Sequence, residues 1–126
     1  MKTYAVLRQA AAAALQRGRH VVVDAACSKA SQRAIFTELA GAVGCPWVFA
    51  ESTCDREVVR RRLVARASDR REPSDADWAV YEAAERNFER PREIPLARRV
   101  VWPSDSPAGR GVTAAIESLQ DARRER

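Results

Sequence analysis

Arg19-His20-Val21-Val22-Val23-Asp24-Ala25 is the stretch on which the reading of the fold turns. Three consecutive β-branched apolar residues, with no polar alternation, describe a short strand covered on both faces, the pattern of a parallel sheet. What surrounds it is helical. On its N-terminal side, Tyr4, Leu7, Ala11, Ala14 and Leu15 recur at helical spacing until Gly18 supplies a stop. On its C-terminal side, Ser28 is placed to cap a helix whose apolar face carries Ile35, Phe36, Leu39 and Val43. Gly44 ends that helix and Pro46 prevents its continuation.

The alternation continues outward. Trp47-Val48-Phe49-Ala50 reads as a second buried strand. Asp55 is positioned to cap a third helix, with Glu57 in its first turn and Val59, Leu63 and Ala67 on one face. Ser68 to Pro73 is polar and reads as a loop. Ser74-Asp75-Ala76-Asp77 is a capping box that opens a helix with Trp78, Tyr81 and Phe88 on one side. Arg90 to Pro95 is a connector. Arg99-Val100-Val101-Trp102 is a third strand, and Val112, Ala115, Ile116 and Leu119 mark a last amphipathic helix. Strand and helix alternate throughout, which implies a parallel sheet covered by helices in the α/β class, and 126 residues suit one domain.

Composition narrows the function. The apolar fraction is 46%, as in globular proteins, and no apolar run approaches the length of a membrane span. The segment after Met1 has helical spacing and not a signal peptide's apolar core, so a soluble cytoplasmic protein is expected. Three cysteines (Cys27, Cys45 and Cys54), with no C-x-x-C spacing and the single histidine His20, argue against a zinc site and for reduced thiols. The net charge of +5 is carried almost wholly by arginine. These arginines alternate with acids and lack interleaved aromatics, so basicity does not by itself indicate a nucleic-acid partner.

The order of segments carries a resemblance. Val21-Val22-Val23-Asp24-Ala25, the helix bearing Arg33, the arginine-rich run Arg56-Glu57-Val58-Val59-Arg60-Arg61-Arg62-Leu63-Val64-Ala65-Arg66 and Ser74-Asp75-Ala76-Asp77 follow one another. Together they resemble the P-loop kinases of the zeta-toxin and polynucleotide-kinase type. They resemble also the ATP-binding domain of bacterial AAA-type proteins, often fused to an aminoglycoside-phosphotransferase-like domain. The resemblance runs from about Tyr4 to Pro107. It implies a P-loop-NTPase-like parallel sheet in one domain over residues 1–126, with a lid-like region near 60–90, and it implies ATP and magnesium as cofactors. Asp24, at a strand's carboxyl end, would be the acidic residue facing magnesium and acceptor. Arg33 would contact the acceptor substrate. Arg62, Arg66, Arg70 and Arg71 would close over the nucleotide phosphates, and Ser104 to Pro107 would correspond to the loop that holds the adenine ring. Each has a plainer reading: Asp24 as a strand terminator, Arg33 as a solvated helix charge, and the arginine run as a solvated basic face.

The departures from the family are as informative. The resembling kinases carry Asp-Ala-Thr or Asp-Asn-Thr where this chain has Asp24-Ala25-Ala26. None of Gly18, Gly41, Gly44, Gly109 and Gly111 precedes a Lys-Ser or Lys-Thr pair, so these 126 residues contain no G-x-x-x-x-G-K-[ST] loop. The expectation is therefore a fold truncated at its N-terminus, lacking the P-loop strand. That strand lies mid-sheet in the resembling fold, between those matching Val21–Asp24 and Trp47–Ala50. The chain would be inactive alone, complemented by a chain supplying the P-loop segment, and prone to self-association through exposed strand edges. Two other readings stay open: a non-catalytic remnant that binds a partner chain, and an arginine-rich nucleic-acid binder, whose binding would fall steeply with salt.

Overall fold

A computed structural model describes residues 2–68 and 77–124. It holds five α-helices, α1 (Lys2–Gln16), α2 (Ala30–Val43), α3 (Arg56–Ala67), α4 (Trp78–Asn87) and α5 (Ala108–Arg124), and two strands, β1 (Phe49–Thr53) and β2 (Arg99–Pro103). Two compact units are formed: residues 1–47 with 89–93, and residues 48–88 with 94–126.

In the first unit α1 packs against α2. Alanines at 10 to 14 favour helix and leave a low surface for close approach. Tyr4 and Phe36 meet with ring centroids 6.2 Å apart at 51°. Ala11, Leu39 and Ala40 are buried between the helices. Gly18 ends α1 with φ 69°, and Gly44 ends α2 with φ 70°. The Gly44 N–H bonds back into the last turn of α2, and a side chain at either position would be strained. The start of α2 lies one residue later than expected. Lys29 is the cap residue and Ser28 precedes it; the Gln32 side-chain oxygen accepts from the Lys29 N–H at 3.1 Å and from Ser28 Oγ at 3.3 Å.

The second unit is built on β1 and β2, which pair in parallel from Phe49↔Arg99 to Thr53↔Pro103. A parallel pair needs a crossover, and α3 and α4 lie within it. Asp55 caps α3 as its position predicts, accepting from Glu57 N–H at 2.9 Å and Val58 N–H at 3.3 Å. Asp77 caps α4 through Val80 N–H at 2.9 Å; the rest of the predicted capping box, Ser74 to Ala76, lies outside the described residues. α5 packs on β2, where Gly111 lets the helix lie directly on the Trp102 indole. Ile94, Val100 and Ala122 are buried here.

The α/β class and the parallel sheet agree with the sequence reading, but three expected strands become two. Val21–Asp24 forms no strand. Among the described residues no backbone hydrogen bond joins residues 20–26 to another segment's main chain, and Val22 is 94% exposed. A β-branched run is extended by its own sterics, yet it is a strand only where a neighbour completes the ladder. β1 also begins two residues later than Trp47. Three of the seven buried apolar side chains among the described residues are alanines, so the core is thin and each of these contributes little burial.

Candidate functional site

In the first unit the loop from Asp24 to Lys29 is held from three directions. Cys27 is at φ 44°, a left-handed conformation that costs a non-glycine residue energy and persists only where its surroundings enforce it. Its N–H donates to Tyr4 Oη at 3.1 Å, from α1. Its carbonyl accepts from Arg33 Nη1 at 2.9 Å, from α2. Burial raises the Cys27 thiol above its ordinary pKa, and the nearby Arg33 guanidinium offsets this only in part.

Arg33 is the most deeply buried charged residue described, with its side chain 1% exposed. Its Nε lies 2.5 Å from Glu93 Oε1. This bond, more than the opposing burial, holds the Glu93 carboxyl below its ordinary pKa. Glu89 closes the loop's far end. Its carboxylate accepts from Ala30 N–H at 2.8 Å and Lys29 Nζ at 3.4 Å, and its own N–H donates to Ser28 O at 2.8 Å. The Ala30 bond is the chief reason its carboxyl also lies below the ordinary range. Asp24 stands exposed at the start of this fixed loop, beside a hollow lined by Leu7, Ala10, Ala11 and Ala14 of α1. Arg33 is therefore no solvated helix charge. Its Nε and Nη1 are engaged by Glu93 and Cys27, and these contacts brace the loop that follows Asp24.

In the second unit the carboxyl ends of β1 and β2 are tied together. Ser104 N–H donates to Thr53 O at 2.7 Å, and Asp55 N–H donates to Asp105 Oδ2 at 3.0 Å. Arg62 reaches from the second turn of α3 to the same place. Its Nη2 donates to Ser104 O at 2.9 Å, and its Nη1 lies 3.5 Å from Ser104 Oγ and 3.7 Å from Cys54 Sγ. Arg66, one turn on, is exposed; Arg70 and Arg71 lie outside the described residues. α3 buries none of its residues. It is fastened to α4 by Arg56, which donates to Glu82 and Glu85 at 2.6 Å each and stacks 4.9 Å over the Trp78 ring. Arg60 covers Trp78 too, at 5.6 Å, and Tyr81 lies 5.1 Å from it. The Trp78–Tyr81 stripe is packing, as its spacing suggests, with arginines as part of the packed surface.

The sequence did not point to Tyr4, Glu89, Glu93, Ser104 or Asp105 as partners of these residues. Glu89 precedes the proline-bearing connector and Glu93 lies within it, and both meet residues about sixty positions away, a separation that carries no local periodicity.

A parallel strand pair whose carboxyl-end loops are drawn together, with helices in the crossover between its strands, is the arrangement of an α/β domain. The chain belongs to the AAA domain family, whose model matches residues 1–91. No curated protein and no solved structure matches it. Among the described residues no helix is long and apolar enough to cross a membrane.

Proposed function

We propose that the chain is the lid-bearing and acceptor-bearing part of an ATP-dependent, kinase-like protein acting on a small-molecule or polynucleotide hydroxyl, and that it does not transfer phosphate by itself. The observation that carries this is the Arg62 clamp. A lid-helix arginine holds Ser104, the first residue of the loop assigned by resemblance to the adenine ring, at the sheet edge where such folds bind ligands. With Arg62 fixed there, exposed Arg66, with Arg70 and Arg71 beyond it, is the lid's group for phosphate. Asp24 is the acidic residue for the acceptor side. Arg33 serves as a positioning residue for the Asp24–Lys29 loop.

The residues present do not complete a site for magnesium-ATP. Asp24 is followed by Ala25 and Ala26, where the family offers a hydroxyl. Among the described residues no group of three His, Cys, Asp or Glu side chains gathers. The phosphate-cradling backbone loop is not in these 126 residues. Loss of one preorganised donor costs about 3 kcal/mol of transition-state stabilisation, and that loop supplies several. In-line transfer would need them.

Calorimetry with magnesium-ATP tests the reading. The chain alone gives no binding heat and no phosphorylated product. Addition of a P-loop segment from a related kinase produces binding that Arg66→Ala weakens. Micromolar binding by the chain alone, lost in Arg66→Ala, would overturn the incompleteness argument. Binding in the complemented protein that ignores Arg66→Ala would overturn the lid assignment.

A further inference from the structure

The segment at residues 20–24, which joins no ladder among the described residues, has a self-complementary outer face. Burial alternates along it: His20, Val22 and Asp24 are exposed, while Val21 and Val23 are half-buried. It borders the same hollow as Leu7, Ala10, Ala11 and Ala14, so its inner side is backed by α1 and its outer side is bare. Among the described residues its main-chain donors and acceptors from 20 to 26 bond to no other main chain.

An exposed β-branched run with a free backbone edge is a template for strand addition. The side-chain pattern decides the occupant. We infer that Val21–Val23 pairs antiparallel with the same segment of a second copy of this chain, about a two-fold axis through Val22. In that register Val22 meets Val22, Val21 meets Val23, and His20 faces the partner's Asp24, twice by symmetry. A cross-strand imidazole N–H donating to a carboxylate stabilises such a ribbon, and like charges directly opposite destabilise it. Registers centred on Val21 or Val23 keep the same outer face together, but they set His20 or Asp24 against valine and lose both His–Asp pairs. A two-fold contact of this kind is isologous and closes as a dimer, without open-ended growth. The same pairing occupies Asp24, so dimer and acceptor-bound monomer exclude one another. That last consequence rests on the function proposed above, whereas the association does not.

Sedimentation velocity over a concentration series reaching about 1 mM, high enough to populate dimers of micromolar Kd, is the test. The expected result is a monomer–dimer equilibrium. Val22→Lys places two ammonium groups on the axis and weakens it at least tenfold. Because Val22 is 94% exposed, the far-ultraviolet circular dichroism of this variant should match the parent. His20→Asp and Asp24→His each weaken the dimer, and the double swap restores it. A chain that is monomeric throughout, a dimer indifferent to Val22→Lys, or a double swap no better than the singles would each overturn the pairing. The readout needs no nucleotide, so it stands or falls apart from the kinase-like reading.

Discussion

Gly111→Ala separates two physical effects of opposite sign. Alanine in place of glycine inside a helix normally stabilises by about 1 kcal/mol through backbone entropy. At Gly111 the added Cβ would lie 2.6 Å from Trp102 Cγ and closer still to Cδ2 and Cε2. Carbon atoms in contact rest at about 3.5–4.0 Å, so helix or indole must move by more than about 1 Å. The indole is a rigid ring on β2, not the end of a flexible chain, and overpacking of this kind costs about 1–3 kcal/mol. If the indole swings aside, α5 loses much of its apolar seat on the strand. The clash wins, with a net destabilisation of up to about 2 kcal/mol, or a fall in Tm of up to roughly 8 °C for a chain of this size. Thermal unfolding followed by near-ultraviolet circular dichroism reads both the shift and the loss of the tryptophan environment. Gly41→Ala is the control: it lies in α2 with nothing within 4 Å of its added Cβ, and should raise Tm by a few degrees. If Gly111→Ala also raises Tm, α5 does not seat on Trp102 as described.

Two further changes test the caps and the buried pair. Asp55→Ala removes the acceptor for Glu57 and Val58 N–H and should cost about 1 kcal/mol in urea unfolding, with Asp55→Asn costing less; equal losses would show that charge, not the cap geometry, matters. Glu93 and Glu89 both have carboxyls held below the ordinary glutamate pKa of about 4.3, so their contribution is present above that value and is lost as pH falls through the lower folded values. Glu93→Gln should cost about 1 kcal/mol at pH 7, the low end for a buried group losing its charged partner, because Glu93 itself is partly in water. Its stability should then fall less than the parent's between pH 6 and pH 3; parallel falls would refute the pairing's role in acid sensitivity.

Much of the local structure was legible in the sequence because its causes are local. Gly18, Gly44 and Asp55 act within one turn of where they stand, and the helices they bound follow from the 3.6-residue spacing of apolar side chains. The order of segments, with the arginine-rich helix after a strand, was enough to indicate the family. What tertiary structure decided is whatever depends on a distant partner. Val21–Asp24 has the composition of a buried strand, but a ladder needs a second backbone, and among the described residues none pairs with it. Trp47 and Val48 have equal claim to strand on propensity; the parallel register with Arg99 to Pro103 begins the pairing at Phe49 instead. Arg33 reads as a surface charge because its helix neighbours are unremarkable, and only its meeting with Glu93, sixty residues on, shows that it is buried. Arg62 and Arg66 are equivalent on helical spacing alone. The turn at Ser104 distinguishes them, because it lies within reach of Arg62.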